Sequence, residues 1–216
     1  MTKSPLLHLV DGVITRSQVP LIKQVNMSLE AGEIAILTGP NGSGKSTLLT
    51  ALAGEKFLTE GSLMFGDTSR DQISLRDMAT KRSLMLQQDE AVDQLRASDV
   101  LELASISAAV PGYTTEFVSK ISSSELGEKT LGSLSIGQRT RVFLAAAALQ
   151  NSEVMLLDEP TAGLDADGIA VLAEFLVTHS AQGHGVIIAT HEHSLNALAC
   201  KEFVISDGSL SVKLLR

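Results

Sequence analysis

Ile34-Ala35-Ile36-Leu37-Thr38-Gly39-Pro40-Asn41-Gly42-Ser43-Gly44-Lys45-Ser46-Thr47 is the stretch whose reading decides the fold. It opens with an apolar run lacking polar alternation, the pattern of a strand buried on both faces. Residues 39–46 fit Gly-x-x-x-x-Gly-Lys-[Ser/Thr], and Ser46–Ala53 then reads as a helix ended by Gly54. Glycines let successive backbone N–H groups turn inward around phosphate oxygens, and the helix start adds the positive end of its dipole. Lys45 is placed to reach β- and γ-phosphates and the Ser46 hydroxyl to ligate magnesium. The plainer reading, a glycine-rich turn that only caps a helix, is weakened by the strand on one side and the helix on the other.

Working outward, Leu6–Val10, the alternating Val25–Leu29 and Ser62–Phe65 read as strands, and Asp207-Gly208 as a hairpin turn. The second half alternates: Arg139–Leu149 helical, Val154–Leu157 a strand, Ile169–Ser180 helical, Val186–Thr190 a strand. That order predicts an α/β fold with a parallel sheet covered on both faces. Between the halves, 88–134 reads as a mainly helical insertion, with Asp99–Ala109 helical, a break at Pro111-Gly112, and loose polar connections at Ser122–Ser124 and Gly127.

The 216 residues, 44% hydrophobic and 19% charged, suffice for one compact unit with a sizeable core, and they exclude a disordered or collagen-like chain. Seventeen Lys plus Arg against twenty-five Asp plus Glu give a net charge of −8, which disfavours a general grip on nucleic acid or an anionic membrane. The lone Cys200 excludes an intrachain disulfide and a Cys-based zinc cluster, and the N-terminus lacks the apolar stretch of a secretory leader, so a reducing cytosolic location is expected. The longest strongly apolar stretch, Val142–Leu149, is far below the roughly 20 residues that cross a bilayer, so no direct membrane insertion is expected.

A second element follows Val154–Leu157 at Asp158-Glu159-Pro160. Carboxylates at the C-terminal end of a buried strand face a ligand crevice. Asp158 would hold magnesium through water and Glu159 would polarise the water that attacks a γ-phosphate; two surface carboxylates entering a turn is the alternative.

Leu134-Ser135-Ile136-Gly137-Gln138, followed by Arg139-Thr140-Arg141-Val142-Phe143-Leu144-Ala145-Ala146-Ala147, resembles the signature of ATP-binding cassette (ABC) ATPases. The resemblance keeps the family's order over nearly the whole chain: Walker A at 39–47, a Gln near 87, the signature at 134–138, Walker B at 154–159, Ala162-Gly163-Leu164-Asp165, and His191. Ser135 is a natural N-cap and Gly137 lets the backbone approach an anion, so this is either a second phosphate-binding helix start or an ordinary capped helix.

The resemblance implies a P-loop NTPase (RecA-like) core, its parallel sheet flanked by helices, with a small N-terminal antiparallel β subdomain and a helical insertion subdomain at about 88–138, all in a single domain over 1–216. It implies hydrolysis of ATP with Mg2+. Gly39, Pro40, Asn41, Gly42, Ser43, Gly44, Lys45, Ser46, Thr47 and Asp158 would bind the nucleotide; Lys45, Gln87, Glu159 and His191 would be catalytic; Ser46, Gln87 and, through water, Asp158 would serve the metal. Counting from both sides favours Gln87 over Gln88. Arg16 stands near the position of an adenine-stacking aromatic and could stack through its guanidinium plane, or be a solvated turn arginine, which leaves ATP against GTP open. Ile136 stands where the family has Gly. Asp165 could also be a simple N-cap, and His191 a satisfied histidine at a strand end. A metal site at His191 and His193 is disfavoured with no Cys nearby.

In the family, Ser135, Gly137, Gln138 and Asp165 of one subunit would complete the ATP site of another, in a homodimer or a heterodimer with a second cassette. An integral membrane permease would hold the chain on the cytoplasmic face and press into a charge-poor, apolar surface beside Gln87 and the helical region, with the cargo unassigned. With eight residues after Gly208, no extra regulatory domain is expected. A soluble ABC ATPase acting on DNA, chromosomes or ribosomes is opposed by length and charge. A P-loop kinase would have no reason to carry Leu134–Gln138 or Asp165.

Overall fold

The computed structural model describes residues 4–16, 19–56, 58–86, 92–106, 111–122 and 124–215. Its centre is set by three short apolar runs. β3 (Ile34–Thr38), β7 (Val154–Asp158) and β8 (Gly185–Ala189) lie parallel, and every residue of β7 and β8 is buried. Successive side chains of a strand point to opposite faces. Ala35, Leu37, Val154, Leu156, Ile187 and Ala189 accordingly enter one core, and Ile34, Ile36, Met155, Leu157, Val186 and Ile188 the other. A strand feeding two cores has no solvent face, which is why these runs show no polar alternation.

The sheet is completed by β6 (Arg82–Met85), β9 (Lys201–Ser206) and β10 (Ser209–Leu214), in the order β10-β9-β3-β8-β7-β6. Among the described residues of this sheet, only the β9–β10 hairpin is antiparallel. Its turn places Asp207 at φ 48° and Gly208 at φ 72°, the left-handed pair that matches the twist of two strands.

One core lies between this sheet and a four-stranded antiparallel sheet, β2-β1-β4-β5, with α1 (Lys45–Leu52) packed inside it. β1 (Leu7–Arg16) and β2 (Val19–Leu29) run longer than the sequence suggests. Register shifts carry the pairing past Asp11-Gly12, where Asn26 accepts from the Asp11 amide at 2.9 Å and donates back to its carboxylate at 3.0 Å. β4 (Glu60–Phe65) and β5 (Thr68–Ser69) finish this sheet. α2 (Leu75–Lys81), absent from the sequence reading, begins where the Ser74 hydroxyl accepts from the Asp77 amide.

The other core is covered by α4 (Gly112–Ile121), α5 (Ile136–Leu149) and α6 (Ala166–Ala181), through Phe117, Leu144, Leu172, Phe175 and Leu176. α3 (Ala97–Ser105) joins α5 through a smaller cluster around Leu131 and Val142. Pro111-Gly112 does interrupt the helical region, but as a start: Pro111 is the N-cap of α4. Proline's fixed φ and missing N–H are harmless at a helix beginning.

Candidate nucleotide site

The loop from β3 to α1 lies at the C-terminal ends of the parallel strands, where open α/β sheets hold ligands. A Cβ on Gly39 would sit 2.6 Å from the Ile205 carbonyl oxygen and 2.7 Å from Ser43 Oγ, so this turn admits no side chain. Gly44, at φ 106°, caps α1 without a side-chain bond, which leaves the first-turn N–H groups of α1 with no side-chain acceptor. The Ser43 hydroxyl is buried without a partner. An uncapped helix start beside an orphaned hydroxyl is a fit for an anion.

Lys45 is nearly buried; its Nζ donates to the carbonyls of Gly39 (2.8 Å) and Pro40 (3.3 Å). His191 Nε2 lies 3.4 Å from that Nζ and 3.1 Å from Asn41 Oδ1. It can accept from Lys45 only with its proton on Nδ1, and donate to Asn41 only with the proton on Nε2, so the tautomer decides which loop residue it grips. Its Nε2 is 3.7 Å from Glu159 Oε1, and its amide donates to Glu159 Oε2 at 3.4 Å.

Asp158 ends β7 and is 5% exposed. Burial raises its pKa above the ordinary carboxylate value, against the Ser46 hydroxyl bond and the Lys45 charge, which lower it. A buried carboxylate beside a hydroxyl is a donor set suited to a hard divalent cation such as Mg2+. Glu159 follows at φ 48°, a conformation that L residues rarely hold, fixed by its amide donating to the Ala189 carbonyl at 2.7 Å. Strain of this kind collects at functional positions, and nothing in the residue type of Glu159 announces it.

Asn41, Gly42, Gly44, Lys45, Ser46, Thr47, Asp158, Glu159 and His191 therefore line one open cleft of about 740 Å3. Lys56 lines it too; the sequence offered no sign of this, since Lys56 lies in no motif and reaches the cleft only because the chain turns back after α1. Arg16 ends β1, paired with Val19, but its side chain lies outside the described residues, as do Gln87 and Gln88.

Ser135, Gly137, Gln138 and Asp165 are not among the residues lining this cleft. Ser135 Oγ accepts from the Gln138 amide at 3.2 Å and Gln138 Oε1 accepts from the Ser135 amide at 3.1 Å, a reciprocal cap on α5. Asp165 accepts from the Gly168 amide at 2.9 Å and so caps α6. Ile136 is 71% exposed beside these groups.

A separate groove of about 480 Å3 runs between β6, α3 and α5. Leu84, Met85, Leu86, Val92, Leu103 and Phe143 line it, with Arg82 and Glu55 paired at 3.1 Å on one wall.

The sequence family described as "ABC transporter" matches residues 22–162. The hemin import ATP-binding protein HmuV of Rhodococcus jostii is 30% identical over 203 residues, covering 90% of this chain and 70% of that one. The cobalt import ATP-binding protein CbiO of Rhodobacter capsulatus is 34% identical over 189 residues, covering 83% and 67%. The chain spans only about a third of the length of the export ATP-binding/permease proteins it also matches. Among solved structures, the dimeric bacterial ABC transporter cassette MJ0796 superposes with a TM-score of 0.83 at 23% identity, covering 97% of this chain and 99% of the other.

Proposed function

The chain belongs to the ABC transporter family, as an ATP-binding subunit with ATPase activity, and from that premise we propose that it drives transport through a separate integral membrane permease by ATP-dependent head-to-tail pairing with a second cassette. The observation that carries this reading is the division of the candidate residues. Those suited to the phosphates, Lys45, Ser46, Asp158, Glu159 and His191, share one cleft, while Ser135, Gly137 and Asp165 stand apart. The start of α5 is capped by Ser135 and Gln138 and packed on Gly163 within its own chain, and the exposed Ile136 beside it leaves this face open to a second chain.

In this reading the loop amides and Lys45 hold the triphosphate. Mg2+ at Ser46 and, through water, Asp158 would neutralise charge on the β- and γ-phosphates. Glu159 takes the proton of the attacking water as its oxygen bonds to the γ-phosphorus and the bond to the β–γ bridging oxygen breaks, and His191 steadies the γ-phosphate side. Gln87 would report metal and water to the permease groove, and Arg16 would lie against the base.

The apolar groove suits a short permease helix laid on its apolar face. No helix among the described residues is long and apolar enough to cross a membrane, so membrane association on the cytoplasmic face rests on that permease. The relatives' names include both importers and exporters, and the reading extends to ATP-driven transport without a cargo. The chain is read as one cassette domain over 1–216, its helical part at about 88–138.

Mixing two defective variants tests the pairing. Lys45→Ala disables its own cleft, and Ile136→Glu, at a side chain that is 71% exposed, the surface offered to a partner. A mixed dimer has one intact cleft facing one intact signature, so the mixture regains ATPase activity that neither variant has alone. A mixture as inactive as its components would mean that each cleft works with its own chain only.

A further inference from the structure

The start of α5 and the loop 162–165 are bound to each other within one chain. A Cβ on Gly137 would collide with the Gly163 carbonyl oxygen, and a Cβ on Gly163, which sits at φ 71°, would come within 2.7 Å of the Gly137 nitrogen. One turn further along α5 the buried Thr140 donates to the Ala162 carbonyl at 2.8 Å. Arg141 Nη2 donates to Asp165 Oδ1 at 2.7 Å, and its Nη1 lies 3.5 Å from the Ile121 carbonyl at the end of α4. The same Oδ1 takes the Gly168 amide, so both bonds fall on one carboxylate oxygen of a side chain that is 68% exposed. Gly168 is part of the arrangement: a Cβ there would stand 2.8 Å from Asp165 Oδ1 and 3.0 Å from Arg141 Nη2.

We propose that Thr140 and Arg141 are positioning residues that clamp residues 162–165 onto the first turns of α5, so that Ser135–Gln138 and Asp165 meet a second chain as one rigid block. The inference rests on the head-to-tail reading above and adds what that reading leaves open, the part of the chain that fixes the two offered elements relative to each other. Two separate loops would each have to be ordered when the chains meet; a block ordered beforehand spares that entropy. The clamp also joins the block to its own cleft, because the segment runs directly on from Glu159, whose carbonyl accepts from the Ala162 amide at 3.1 Å.

Gly168→Ala separates a positioning role from a merely structural one. Alanine favours a helix over glycine, while its Cβ presses on both partners of the ion pair, Asp165 Oδ1 at 2.8 Å and Arg141 Nη2 at 3.0 Å, and so opens the clamp. In a Glu159→Gln background, expected to hold ATP and turn it over very slowly, sedimentation gives the ATP-driven dimerisation constant, and dilute titration the nucleotide affinity of the single chain. Gly168→Ala and Arg141→Ala are expected to weaken dimerisation about fivefold, the factor matching a well-formed surface ion pair. Nucleotide affinity of the single chain stays unchanged. The melting temperature of Gly168→Ala stays close to that of its parent, the gain in helix propensity offsetting the strain on the Asp165 cap, and Arg141→Lys recovers part of the dimerisation.

The proposal is overturned if Gly168→Ala pairs as tightly as its parent, or if every loss of pairing follows a loss of melting temperature. A parent that binds ATP and stays a single chain overturns the head-to-tail reading and this inference together. A parent that pairs, with variants that pair equally well, overturns the inference alone.

Discussion

Removing the Lys45 ammonium has a calculable cost. The side chain is 8% exposed and its charge is balanced locally by dipoles, the Gly39 and Pro40 carbonyls at 2.8 and 3.3 Å, rather than by a paired carboxylate. The Asp158 carboxylate feels this charge but forms no close ion pair with it, so the cation is well placed for an incoming polyanion. Two unit charges about 4 Å apart at an effective dielectric of about 20 attract by about 4 kcal/mol, and truncating one partner of a desolvated, hydrogen-bonded charge pair costs about 2–5 kcal/mol. Lys45→Ala is therefore expected to weaken Mg-ATP binding by about 30-fold to several thousand-fold. Calorimetric titration of Lys45→Ala and of the length-matched Lys45→Met against the parent reads this directly. AMP, which lacks the β- and γ-phosphates, is the internal control and should bind all of them within about threefold, since P-loop lysines serve the outer phosphates. A loss in ATP affinity below about threefold, or an equal loss for AMP, would refute the assignment of Lys45 to the outer phosphates.

Three further outcomes follow from the same geometry. Glu159→Gln keeps the shape of the side chain and loses its basicity, so ATP binds normally and single-turnover hydrolysis slows by about 100-fold or more; near-parental turnover removes Glu159 from its role. Asp158 in the folded chain holds its proton more tightly than in the unfolded one, so its ionisation costs stability as pH rises past the ordinary value of 3.8, and that cost is present at neutral pH. Asp158→Asn should thus raise the melting temperature of the nucleotide-free protein at pH 7 and lose Mg-dependent hydrolysis; a lower melting temperature would contradict the burial argument. His179 is fully buried, stacked on His184 at 4.2 Å and bonded to the Tyr113 hydroxyl, and burial followed by the His184 charge lowers its pKa from 6.5 to about 3. Between those values the unfolded chain binds a proton that the folded chain refuses, so stability falls as pH drops below about 6.5; His179→Phe should show a shallower decline in urea midpoint from pH 7 to pH 5, and an unchanged slope would assign the acid sensitivity elsewhere.

What was legible in the sequence was whatever a single segment decides alone. Ile34–Leu37, Val154–Leu157 and Val186–Thr190 declared themselves buried strands because a strand covered on both faces is apolar along its run, and they form Ile34–Thr38, Val154–Asp158 and Gly185–Ala189; Gly39–Ser46 declared its loop by the spacing of its glycines before Lys45. The full lengths of β1 and β2 stayed hidden, since their pairing passes through irregular register at Asp11-Gly12 that no alternation pattern survives. α2 was missed for a similar reason: it is seven residues long with only Met78 buried, too little apolar surface to give a period. At the site, the phosphate-loop residues were named from spacing, Asp158 and Glu159 from their place at a strand end, and His191 from the family resemblance, whereas Lys56, the positive φ of Glu159 and the Arg141–Asp165 contact depend on segments brought together by folding.

The account turns on two chains sharing the work of one ATP site. Its most direct measurement is the solution mass of Glu159→Gln with and without Mg-ATP across a range of protein concentrations. The account predicts a single chain without nucleotide and a pair of chains with it. A protein that binds ATP fully and keeps the mass of one chain at every concentration would contradict it.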